Sequence, residues 1–173
     1  MKGHVMLIIV ILSVFLLGCA SADTENNTTD TTSLNKKAVE PLAIGIQISV
    51  TPTALNLGTV DPDGLERTYY SITNVSVKTT GGTLRVSSRA SGNLININNT
   101  SNTIPISNLK YSIKYEGPYG PIEVPKRSFI TSYYTFWTYN GAVNIKIPIN
   151  YYLTVPLYTE PGTYRVNIIY RAV

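Results

Sequence analysis

The sequence predicts an all-β protein, an antiparallel immunoglobulin-like β-sandwich of about eight or nine strands, carried behind a signal peptide and a disordered stalk. Three observations predict it. Apolar and polar residues alternate with a period of two from about residue 41 to the C-terminus. Pairs of Pro, Gly, Asn and Asp interrupt that alternation at short intervals, and no window beyond the N-terminal apolar run repeats with the period of a helix. A jelly roll or a small barrel would carry the same pattern, because alternation does not reveal strand order.

Residues 1–18 read as a signal peptide. Lys2 precedes the apolar run Val5 to Leu17, which is too short to span a bilayer comfortably and ends in small residues. Leu16, Leu17, Gly18 and Cys19 resemble a lipobox, the tetrad after which a lipoprotein signal peptidase leaves an acylated cysteine at the new N-terminus. Cys19 is the single cysteine of the 173 residues, so its position at the end of the run favours a lipid anchor. Cleavage after Ala22 is the alternative, since Ala20, Ser21 and Ala22 fit the small-x-small pattern of ordinary signal peptidase. The expected location is extracellular, at the cell surface, with the membrane reached through the lipid.

Residues 19–40 read as the stalk. The stretch is rich in Asn and Thr and lacks aromatic rings, so it buries too little apolar area to offset the entropy of ordering it. Asn26 and Asn27 head N-x-Thr sequons there, and Asn74, Asn98 and Asn99 head further sequons in the domain; all five are candidate glycosylation sites.

Residues 41–173 form the domain, long enough for one core and too short for two. Ile44, Ile46, Ile48 and Val50 alternate with polar or small residues, as do Leu84 and Val86. So do Leu109, Tyr111, Ile113 and Tyr115, and Tyr164, Val166, Ile168 and Tyr170; each set predicts a strand with one buried face. Turns are predicted at Thr51-Pro52, Asp61-Pro62-Asp63-Gly64, Gly81-Gly82, Ser91-Gly92-Asn93, Gly117-Pro118, Asn140-Gly141 and Pro161-Gly162. Asn140-Gly141 carries the strongest hairpin signal of these.

Two segments extend the reading by resemblance. Ala54 to Val60, ALNLGTV, resembles the opening strands of secreted immunoglobulin-like modules. Val155 to Tyr170, VPLYTEPGTYRVNIIY, is similar to the closing hairpin of such modules on bacterial and archaeal surfaces, including the WxL-like group. The Trp-x-Leu signature itself is missing, since Trp137 is followed by Thr138 and Tyr139. The resemblance implies a cell-envelope module with a structural, assembly or adhesive role, whose partners are an envelope polymer or surface proteins. Tyr164 resembles a tyrosine corner, which ties the start of a strand to nearby backbone.

The side-chain inventory narrows function further. His4, the one histidine, leaves with the signal peptide, so the mature domain has neither imidazole nor thiol for nucleophilic catalysis, general-base work or zinc. No enzyme activity, cofactor or metal is expected. Glu116 and Glu123 flank one loop as a conceivable acid pair, and Asp61, Asp63 and Glu66 offer oxygens to calcium, but a charged loop rim and an ordinary turn account for them. The formal net charge is +4, and Arg85, Lys110, Lys114, Arg165 and Arg171 fall on the polar phases of their strands. Were those strands to share a sheet, its face would attract anionic polymer or headgroups. Nucleic acid is not expected without a basic run or a binding motif.

The aromatic stretch Phe129 to Tyr139, FITSYYTFWTY, is the candidate ligand platform, comprising Tyr133, Tyr134, Phe136, Trp137 and Tyr139. As one strand it sets Phe129, Tyr133, Trp137 and Tyr139 on one phase and Ile130, Tyr134 and Phe136 on the other, so one set faces outward. Exposed rings would suit the apolar faces of sugars, which makes a carbohydrate-binding module the second functional reading. Alternatively the loop Gly117 to Pro125 covers the rings and they extend the core.

Overall fold

The computed structural model describes residues 45–173 in full and the backbone of residues 5–11. Cys19, Asn26, Asn27 and the predicted stalk lie outside the described residues. Twelve strands and one 3-10 turn make up the described chain: β1 Val5–Ile11, β2 Ile46–Thr51, β3 Ala54–Val60, β4 Glu66–Thr79, β5 Thr83–Ala90, β6 Leu94–Asn96, β7 Thr103–Ile104, β8 Leu109–Tyr115, β9 Ile122–Ser128, β10 Tyr134–Asn140, β11 Val143–Thr154 and β12 Gly162–Ala172. That is more than the eight or nine strands expected. The all-β class and the two-sheet packing are as expected.

One sheet runs in the order β2-β4-β11-β8-β9 and the other in the order β10-β5-β12-β1-β3, with β6 and β7 added beside β12. Every pairing is antiparallel except β1 with β12, which is parallel. Val5–Ile11, which the sequence reads as part of a signal peptide, is therefore paired within a sheet. Its neighbours are β12 on one side and β3 on the other.

The predicted alternation sets the core. Leu84, Val86, Leu109, Tyr111, Ile113, Tyr164, Val166, Ile168 and Tyr170 are all buried between the sheets, while Val50 is buried and Ile46 and Ile48 are half-buried. The tyrosine corner bond is present: the Tyr164 hydroxyl donates to the Glu160 carbonyl at 2.9 Å.

Asn140-Gly141 does not form a hairpin. It connects β10 in one sheet to β11 in the other, and Gly81-Gly82 likewise connects β4 to β5. β4 pairs with β11 and β5 with β10, so the two crossings run side by side, joined by Gly141 N–H to Gly82 O at 2.8 Å and Thr83 Oγ1 to Asn140 Oδ1 at 2.8 Å. A single two-stranded ribbon thus bends from one sheet into the other. Gly82 and Gly141 occupy the corner at φ 78° and 118°, which only glycine adopts without strain. The turn chemistry was correct and the partner assignment was not, because a local turn signal cannot distinguish a hairpin from a corner shared by two strands.

Tyrosines carry part of the core. The Tyr151 and Tyr170 hydroxyls share a buried hydrogen bond at 2.9 Å, and Phe129 stacks between Tyr111 and Tyr151 with ring centroids 4.5 and 5.9 Å away. Burial raises the pKa of Tyr151 above its ordinary 10.0 and that of Tyr170 well above it, because an oxyanion there would lose its hydration. A raised folded pKa means stability that is complete below pH 10.0 and lost as pH climbs toward the folded values. Alkaline titration should then show these two rings ionising only in a cooperative step that coincides with loss of circular dichroism. A single smooth tyrosinate curve centred near pH 10.0, with the fold intact, would contradict this burial.

Candidate functional site

The predicted aromatic platform is divided by the fold. Phe129 follows β9, Thr131 and Ser132 form a bend, and only Tyr134–Asn140 is strand. Within β10 the register slips: Thr135 pairs with Ser87 and Trp137 with Val86, so Phe136 is an extra residue in a β-bulge. A bulge resets the alternation. Phe136 and Trp137 consequently both turn inward, each 9% exposed, instead of facing opposite ways. Trp137 stacks on Tyr139 at 5.5 Å, and Tyr119 from the β8–β9 loop meets Tyr139 edge-on at 5.7 Å. Tyr119 is the loop residue that packs against this end of the strand. Tyr133 and Tyr134 remain half-buried at the other end of the strand.

What surrounds those two rings is cationic. The Tyr133 ring lies against two guanidinium groups, Arg171 with Cζ at 4.0 Å from the centroid and Arg89 at 5.0 Å. Arg127 stacks on Tyr134 at 3.3 Å, across the sandwich edge. The Nε atoms of Arg89, Arg127 and Arg171 are buried without a hydrogen-bond partner among the described residues. The Ser87 and Thr135 hydroxyls bond each other at 2.9 Å in the same strands.

The five basic residues singled out in the sequence separate between the sheets. Lys110 and Lys114 lie on β8 in the five-stranded sheet, where acids meet them. Glu66 binds Lys126 at 2.6 Å and Lys110 at 3.2 Å, which lowers its pKa, with the Lys126 hydrogen bond the largest cause. Lys114 stands in register with Glu123. Arg85, Arg165 and Arg171 instead lie on β5 and β12, adjacent strands of the seven-stranded sheet, with Arg89 as a fourth member. No strand of that sheet contains an Asp or Glu. Arg89 escaped the sequence reading, yet it sits four residues beyond Arg85 on the same phase of one strand, which is the signal that locates it.

The positive strip continues along β12. Arg165, Asn167 and Arg171 share a strand phase, and six residues of strand separate the two arginines by roughly 20 Å. Beside Arg165 lies an open cleft of about 500 Å³, whose polar lining includes Ser91, Asn93, Asn96, Thr100 and Asn167. Asn96 holds its rim: its Oδ1 accepts the backbone N–H of Asn98 at 2.9 Å and of Asn99 at 3.3 Å. Its Nδ2 occupies the space beside Gly162, where a Cβ would meet it at 2.3 Å. The sequons at Asn98 and Asn99 are exposed in this turn, whereas Asn74 is half-buried inside β4.

The acid candidates are elsewhere. Asp63 accepts the Leu65 N–H at 2.9 Å and pairs with Arg67, and its pKa is lowered chiefly by that backbone bond. Glu116 and Glu123 are exposed at the mouth of the β8–β9 hairpin. Comparison of the sequence with protein-family models finds no match, and comparison with curated proteins finds none either.

Proposed function

We propose that the chain is an exported immunoglobulin-like module of the cell envelope, tethered through an acylated Cys19, that holds an anionic envelope polymer on its seven-stranded sheet. Its role is structural or adhesive and not catalytic. The leader-type N-terminus and the single cysteine that ends it support export and tethering. The tyrosine corner bond at Tyr164 supports the immunoglobulin-like assignment. One observation carries the ligand class: Arg89 and Arg171 both lie over Tyr133 on a sheet whose strands hold no Asp or Glu, and neither forms an ion pair with an Asp or Glu side chain among the described residues. Guanidinium groups held over a ring lose little further freedom when they bind sulfate, phosphate or uronate oxygens.

Binding to dextran sulfate, compared with neutral dextran, tests this. The unmodified protein should bind the sulfated polymer with an affinity that falls as salt rises. Arg89→Gln combined with Arg171→Gln should weaken binding at least about tenfold while leaving thermal stability nearly unchanged, because each glutamine retains part of the stem over Tyr133. Equal binding by the variant, or none by the parent, would sink the proposal. A second reading, a module for neutral carbohydrate, rests on the amide-lined cleft beside Arg165. It requires salt-insensitive binding of neutral glycan that is lost in Asn93→Ala.

A further inference from the structure

We propose that removal of the leader opens a strand-wide slot between β3 and β12, and that the mature domain fills it with a β-strand donated by another protein of the envelope. The inference rests on the export reading above and goes beyond it to the kind of partner.

The slot is defined by what occupies it in the unprocessed chain. β1 pairs over its whole length with β12, from Val5 opposite Gly162 to Ile11 opposite Ile168. On its other edge it pairs with β3, from Val5 opposite Val60 to Val10 opposite Ala54. β3 has no other strand partner among the described residues. Cleavage before Cys19 or after Ala22 releases β1, and β3 then has no strand partner and is held by its chain connections, the packing of Leu55, Leu57 and Val60, and the bond from the Tyr69 hydroxyl to the Leu57 carbonyl. One edge of β12 loses its partner at the same moment. Two facing rows of backbone N–H and C=O groups, seven residues long, are a template for strand addition.

The register also states what fits. Leu7, Ile9 and Ile11 stand opposite Tyr164, Val166 and Ile168, which are buried, while positions 6, 8 and 10 stand opposite Thr163, Arg165 and Asn167. A donor therefore needs large apolar residues at three alternate positions, no proline, and entry parallel to β12. Residues 19–173 do not supply one. Along residues 19–44 neither phase places three large apolar residues in succession: Val39 is followed two residues later by Pro41, and Leu34 by Lys36. Leu42 and Ile44 run directly into β2, and the other alternating runs are already paired in the two sheets. A second mature copy is thus a poor donor, and the occupant is a strand of a different chain with large apolar residues on one phase.

The test uses the processed protein recovered from its envelope. Mass spectrometry first reads the N-terminus, and a chain beginning at acylated Cys19 or at Asp23 satisfies the export reading. A chain still beginning at Met1 would defeat both that reading and the slot, since the leader would remain in place. The processed protein is then stripped in denaturant and refolded with and without a synthetic peptide of residues 4–13 bearing a C-terminal lysine tail. Hydrogen exchange should slow at least about tenfold at residues 54–60 and 162–168 when the peptide is present, or folded protein should be recovered only with it. A peptide with aspartate at positions 7, 9 and 11 should do neither. If those amides are equally protected without peptide, β3 has closed directly onto β12 and the proposal fails although export stands.

Discussion

Ile113→Asp should leave the domain unfolded at room temperature. Ile113 is 1% exposed on β8, next to the Tyr111 ring position and in register with Val124, which is also buried. The substitution removes an apolar side chain, leaves a void and places a carboxyl group where no donor awaits it. Together these cost on the order of 5 kcal/mol or more, comparable with the whole stability of a small domain. Circular dichroism of Ile113→Asp should show no cooperative melting transition. Its neighbour gives the control: Lys114 is exposed, so Lys114→Gln should change stability by no more than about 0.5 kcal/mol. Aspartate at Lys114 is the poorer control, because Glu123 faces that position across the hairpin. Similar damage at both positions would refute the assigned strand phase.

Phe136→Ala and Trp137→Ala should each cost about 3 to 5 kcal/mol, in spite of being adjacent in a strand. In regular pleating one of the two would face solvent and its truncation would cost little. The bulge between Thr135 and Trp137 removes that asymmetry, and both rings belong to the core. Trp137 carries the added stacking contact with Tyr139, so its loss should also loosen the Tyr119 loop. Denaturant midpoints of the two variants, beside the exposed control Thr138→Ala, decide the matter. A large loss at one ring and a negligible loss at the other would show that the bulge is absent in solution.

These two sites mark how far the sequence could be read. β8 and β12 were legible because each has one buried face and unbroken alternation, so Leu109 to Tyr115 and Tyr164 to Tyr170 announce their own orientation. β10 was not. Its seven residues contain a bulge, and where several aromatic residues adjoin, either phase reads as apolar, so alternation offers no cue to the slip. The arginine face was half legible: phase assigned Arg85, Arg165 and Arg171 outward, but only strand order separates them from Lys110 and Lys114 and brings them beside Arg89. Strand order depends on pairings between residues far apart in sequence, which no local pattern encodes. The apolar run at the N-terminus reads as a secretory leader in the sequence, and its residues 5–11 are paired as a strand in the structure. A secretory leader and a buried strand both require uncharged apolar residues, and composition alone cannot assign the run to one use.

The bent ribbon has a kinetic consequence. Its corner joins Thr83 to Asn140, 57 residues apart, and every pairing of β4 with β11 lies beyond that separation or close to it. Closing so long a loop must precede the contacts that reward it, so the ribbon forms late and slowly, on the millisecond-to-second scale of high contact-order β domains. β4 and β5 precede β10 and β11 in the chain and must wait for them before either sheet can be completed. During that interval β4, the longest described strand, is paired only with β2 and only through Asn74–Thr79, so its first half waits unpaired, and the period of greatest exposure to misassembly is set by the topology of one corner and not by the stability of the finished core.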